Sequence, residues 1–170
     1  MAWTITQSVA GSQPIATTST VQNHPTGKIV TAKDPTYGEG EFIYLKGVAS
    51  TVVGSIVTYK GSDGSTVLSL TSGVVNGGAP LAVAMSANVA SQWGWYQIAG
   101  DAIIKKTAVK VDPAGTTKVY LSATSGRVMQ TSVSGRQVIG ARWVSTTTVT
   151  STTSTAIATL NRPHQQGAIT

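Results

Sequence analysis

Ser55–Leu70 reads SIVTYKGSDGSTVLSL, two β-branched runs on either side of Gly61-Ser62-Asp63-Gly64. Asp and Gly reach the positive φ of a tight turn at little cost, so the stretch is expected to form a β-hairpin. Val, Ile and Thr are stiff at χ1 and favour a pleated strand over a helix.

The same texture continues on both sides of the hairpin. From Glu41 onward, apolar runs alternate with turn signals: Glu41–Gly47, Pro80–Ser86, Trp93–Ala99, Ala102–Val111, Thr117–Ser122, Arg127–Thr131 and Gln137–Ser145. Ala123-Thr124-Ser125-Gly126 marks a second hairpin. Asp112-Pro113-Ala114-Gly115 marks a further turn, since Pro presets φ and Gly accepts a left-handed residue. Strands of about 5–7 residues at intervals of about 8–12 indicate a sandwich or barrel. The expected fold is all-β: a compact antiparallel β-sandwich or barrel over residues 39–160, with an extended N-terminal arm (1–38) and a short C-terminal tail (161–170).

Composition agrees with this class. A chain of 170 residues can bury one core without cross-links. It contains no cysteine, which excludes disulfides, thiolate metal sites and cysteine nucleophiles. Charged residues make up only 11%, far below the roughly one quarter of ordinary soluble proteins, so the surface should be neutral and hydroxyl-rich. The net charge of +6 is dispersed, with Lys105-Lys106 as the single adjacent basic pair. The opening MAWTITQSVAGS has no basic region followed by an apolar stretch, and no apolar run approaches about 18 residues. Neither secretion nor membrane insertion is expected.

Residues 1–38 hold few large apolar side chains and are punctuated by Gly11, Pro14, Pro25, Gly27 and Pro35. That pattern predicts an extended arm, mobile by itself, in which Ile15–Val21 and Lys28–Ala32 pair with a sheet edge if one is offered. Trp3 has no obvious core to join, so docking on a partner is its expected role, with Ile5, Val9 and Ile15 as further anchors. The Thr-rich segment Ser145–Leu160 (STTTVTSTTSTAIATL) suits a stalk, a linker or a strand pair. Its anchors Val149, Ile157 and Leu160 favour strands, with the turn near Ser151–Ser154.

Six carboxylates and two histidines make the search for chemistry short. Glu39 and Glu41 would share one face of a strand, as an acid/base pair, a cation site or simply a solvated strand start. Asp63, Asp101 and Asp112 stand beside Gly or Pro and read as turn residues. His24 and His164 lack further ligands at zinc spacing, so no metal site is expected. There is no G-x-S-x-G elbow, and neither histidine lies in the expected body, which argues against a hydrolase. Gly38-Glu39-Gly40 begins a G-x-G-x-x-G pattern but Ile43 occupies the last glycine position, and Gly73 and Gly77-Gly78 lack the Lys of a phosphate loop. No catalytic residue, metal or cofactor is assigned. Trp93 and Trp95 should face one side of a strand and Tyr96 the other, either as a ligand platform or interface hot spot, or as core. Aromatics with a basic balance also suit single-stranded nucleic acid, although dispersed charge weighs against that reading.

Pro80–Ala102 (PLAVAMSANVASQWGWYQIAGDA) resembles the small decoration, or cement, proteins of tailed-bacteriophage heads. Their pattern is a strand of the type G-V-A, a small-residue loop, then G-W-x-Q-V/I-x-G entering the next strand. Here Val83-Ala84, Ala87–Ser91 and Gly94–Gly100 occupy those places, with Leu81-Ala82 in place of the usual glycine. Val138-Ile139-Gly140-Ala141 is similar to a late strand of the same proteins, and the resemblance extends over about Glu41–Val144. It implies a β domain bound to the outer surface of a virion capsid, often as a homotrimer, that reinforces contacts between major capsid proteins and is assembled in the bacterial cytoplasm. A carbohydrate- or receptor-binding tail or fibre module is the alternative, and a nucleic-acid-binding β protein a more distant one.

Overall fold

The structure, a computed structural model, describes residues 3–6, 11–69, 77–112, 114–145 and 147–167. Among them there is no helix, and the strands are β1 (Thr4–Ile5), β2 (Thr18–Ser19), β3 (Ile29–Asp34), β4 (Gly38–Lys46), β5 (Ile56–Tyr59), β6 (Thr66–Leu68), β7 (Leu81–Ala84), β8 (Trp93–Lys105), β9 (Lys118–Leu121), β10 (Val128–Met129), β11 (Gln137–Trp143) and β12 (Thr155–Gln165). All the strand pairings are antiparallel. The backbone of the sheet runs β1-β3-β4-β8-β12-β11-β9-β10, with β2, β7, β5 and β6 branching from β8. It does not close on itself, so the sandwich is the compatible form of the all-β fold.

β8 organises this sheet. Its first half pairs with β4 on Glu41–Lys46, and its second half pairs with β12 on Thr155–Asn161. The change of partner falls at a bulge, where Glu41 faces Ala99 but Phe42 faces Gln97. Gly100 takes φ 89° there, and a Cβ on it would run into the carbonyl oxygen of Glu39. Buried Gln97 holds the bend by donating through Nε2 to the carbonyls of Ala99 (3.1 Å) and Asp101 (3.0 Å). Trp93–Ala99 and Ala102–Val111 are therefore not separate strands. Gly100-Asp101 reads locally as a turn, but the glycine makes a bend within one long strand.

Strand alternation sorts the apolar residues into three buried clusters. Phe42, Tyr44 and Trp95 point to one face of β4 and β8, while Ile43, Leu45, Tyr96 and Ile98 point to the other. The largest cluster lies between β5, β7, the second half of β8 and β9–β12, around Ile104, Val138 and Trp143. The β5–β6 hairpin closes through Gly64 (φ 64°) and an Asp63 carboxylate that accepts the Ser65 N–H at 2.9 Å. Gly126 (φ 69°) closes the turn between β9 and β10.

The edge pairing expected within Ile15–Val21 and Lys28–Ala32 is present, on the chain's own β8 and β4. The N-terminal segment is not a free arm, however, and the C-terminal stretch is not a simple tail. Where described, the first 38 residues are docked on the body. Ile29–Asp34 pairs with β4 along its length, Ile15 is 1% exposed, and the Trp3 ring lies 5.0 Å from that of Phe42. An apolar face of β4 and β8 needs a cover, and sparse apolar residues in an extended segment suffice to supply one. At the other end, Asn161–Gln165 continues β12 past a left-handed Arg162 (φ 44°), pairing Val138 with Gln165 and Ile139 with His164. Gly140 (φ 77°) accommodates the matching irregularity in β11. The Thr-rich segment turns at Ser151–Thr152 and enters β12, and Val149 bridges Val111.

Candidate functional site

The aromatic residues singled out in the sequence form a lock beneath the N-terminal segment. Trp93 and Trp95 do face one side and Tyr96 the other. Trp95 and Tyr96 are 0% exposed and Trp93 is half-buried, stacked on Tyr44 at 6.1 Å. No ligand can stack on Trp95 or Tyr96 in this state. Burial pushes the Tyr96 hydroxyl up to about 12, and that hydroxyl accepts a bond from Asn88 Nδ2 at 3.0 Å.

Gln13 fastens the cover to these rings. Its carbonyl accepts the Trp95 indole N–H at 2.8 Å. Its side-chain oxygen accepts the Tyr44 hydroxyl and Asn23 Nδ2, both at 3.0 Å. Its amide nitrogen donates to the carbonyls of Thr17 (2.8 Å) and Trp93 (3.2 Å). The Gln13 backbone N–H donates to His24 Nε2 at 3.1 Å, and the imidazole packs edge-on against Tyr44. Burial, and after it the Lys28 ammonium, lowers the His24 pKa below its ordinary value, which keeps Nε2 free to accept. No local motif marks Gln13 or His24. The available hint was isolated Ile15 among polar residues, the pattern of an extended segment pressed onto another surface.

The remaining sequence candidates are scattered. Trp3 and Ile5 pack against the cluster around Phe42 and Ile15 lies within it, while Val9 is outside the described residues. Glu41 pairs with Arg162 at 2.8 Å and Glu39 is exposed, so Glu41 is held by a cation. Asp63 and Asp112 do cap turns; Asp101 instead lies within β8 and accepts the Thr159 hydroxyl at 2.6 Å. Lys106 of the basic pair is 0% exposed, its ammonium donating to the carbonyls of Val109 and Thr150 (both 2.9 Å) and Thr107 (3.3 Å). Burial lowers its pKa, and the surface receives one cation from this pair, not two. Among the described residues, no three His, Cys, Asp or Glu come together as metal ligands.

One concave feature lies on the outer face of β8 and β12. It is an open groove of about 590 Å³, floored by Ile103 and Ile157, which face each other across the two strands. Tyr37 and Thr36 form one wall, in a turn fixed by their backbone N–H groups donating to Asp34 Oδ1 at 3.1 and 2.8 Å. The other wall comes from Val144, Ser145, Thr147, Val149 and Thr153, anchored by the Val111–Val149 bridge and the Lys106 bond to Thr150. Asp101 also lines the groove. Its residues are far apart in sequence, so only the fold assembles them.

Fold and groove define an all-β protein with a fastened N-terminal cover and a hydroxyl-lined face. Compared with protein families, curated proteins and solved structures, the chain matches none.

Proposed function

We propose that the chain is a structural virion protein that binds the outside of a tailed-bacteriophage capsid and cements neighbouring major capsid proteins. The observation that carries this reading is the margin of the sheet. β1 is the outermost strand and only two residues long, and it leaves an outer backbone edge with no strand partner among the described residues. A strand from a neighbouring subunit or capsid protein can extend such an edge through main-chain hydrogen bonds, with Trp3 and Ile5 beside the new strand. The polar groups support adhesion over turnover, because they serve the fold: Gln13 and His24 fasten the cover, Lys106 ties two loops, and Glu41 is paired.

The resemblance of Gly94–Gly100 to decoration proteins is the support from the body. Gly94–Gly100 carries the bend of β8, so the residues that carry the resemblance are ones that build this sheet. A stable contact needs at least about 1,000 Å² of buried surface, a small part of the 7811 Å² this chain exposes. Repetition over a lattice then strengthens weak individual contacts. A homotrimer spanning adjacent capsid subunits follows from the resemblance alone.

The test is co-sedimentation of the full-length protein with shells of the virus's own major capsid protein. Saturable binding that raises the temperature at which shells rupture is expected. Shells that remain bare at micromolar protein would overturn the proposal.

A further inference from the structure

The groove over Ile103 and Ile157 has a chemistry that cementing does not use. Its polar groups are mostly hydroxyls, from Thr36, Thr147, Thr153 and Thr155 among others, and each hydroxyl both donates and accepts. Threonine side chains are stiff, and both walls are tied down as described, so little entropy is lost when a ligand fixes them. The floor is apolar, and Tyr37 presents a half-buried ring backed by Trp3 at 6.4 Å. Asp101 supplies one carboxylate, and none of the described lining residues is a cation.

These features select among ligands. An anionic ligand would face the Asp101 carboxylate with no cation in the lining itself, the nearest basic positions by register being Lys105 and Arg142, opposite Thr155 and Thr159. An extended peptide gains its affinity from a free strand edge, but β8 and β12 are bonded to each other beneath this groove. A polyol with apolar ring faces matches all three elements: hydroxyls for the walls, vicinal hydroxyls for a carboxylate, and C–H faces for the isoleucines and tyrosine. The volume lies within the roughly 300–1,000 Å³ common for ligand sites.

We infer that this groove binds a neutral oligosaccharide, with Asp101 accepting from sugar hydroxyls and Tyr37 covering a ring face. On a virion surface it would let the particle hold a surface glycan. The inference stands apart from capsid binding, and either can fail alone.

The experiment is a screen of the full-length protein on an array of neutral and acidic oligosaccharides, with the strongest neutral binder titrated by calorimetry. Two variants are compared with the parent chain. Asp101→Asn removes the charge, and Thr147→Trp fills the groove from an exposed position. Each is expected to weaken binding at least about tenfold, the usual effect of losing a charged hydrogen bond or of blocking a site. The melting temperature of Thr147→Trp should match the parent, so that variant decides the matter if Asp101→Asn is unstable. A blank array, binding confined to acidic glycans, or affinity that survives Thr147→Trp overturns the inference.

Discussion

Replacing Gln13 by alanine isolates the contact that turns an extended segment into part of the fold. The side chain makes four hydrogen bonds, with Tyr44, Asn23, Thr17 and the Trp93 carbonyl. A hydrogen bond is worth about 1 kcal/mol net, and more when a buried partner is left unsatisfied. The four share one side chain and are not additive, so the expected loss is about 3 kcal/mol, roughly a hundredfold in the folded ratio. Tyr44→Phe should cost only about 1 kcal/mol, because it removes one hydroxyl from the same network. Urea unfolding followed by tryptophan fluorescence reads both values, and Trp93 and Trp95 report directly on the cover above them. Limited proteolysis should cut 11–24 faster in Gln13→Ala than in the parent. A stability change within about 0.5 kcal/mol with unchanged cleavage would show that the cover is held by something other than this network.

Further outcomes follow from the same geometry. His24 has a depressed pKa in the fold, so the unfolded chain binds more protons; its contribution is fully present above pH 6.5 and is lost as pH falls through the lower folded value. Urea midpoints from pH 8 to 5 should show this slope in the parent and lose most of it in His24→Gln. Lys106→Met strands the carbonyls of Thr107, Val109 and Thr150 while relieving a buried charge, for a net loss of about 2 kcal/mol by thermal melting. Gly100→Ala forces a Cβ toward Glu39 at φ 89°, and should cost about 3 kcal/mol or more in denaturant unfolding. Removal of residues 1–10 should leave a folded protein that no longer co-sediments with shells, whereas undiminished binding would eliminate β1 as the docking edge.

What the sequence revealed was local. The Gly61–Gly64 hairpin and the alternation of Trp93, Trp95 and Tyr96 depend on neighbours a few residues away, and both read correctly. The bend at Gly100 did not, because Gly-Asp has the same local signature in a turn and in a strand bulge. The N-terminal cover was hidden for a different reason. Gln13 and His24 act through hydrogen bonds to residues far along the chain, which hydropathy does not register. β12 was cut short in the reading because 161–170 contains a Pro, a Gly and little to bury, yet a left-handed Arg162 lets pairing resume beyond it. The groove was not legible at all, since Tyr37, Asp101 and Thr147 meet only after β8 and β12 have paired.

Cryo-electron microscopy of the native particle tests the account most directly. It should find this chain outside the head, with its N-terminal edge against a neighbouring subunit and each copy or trimer spanning at least two capsid proteins. Density for the chain within the lumen, or its absence from the head altogether, would contradict the account.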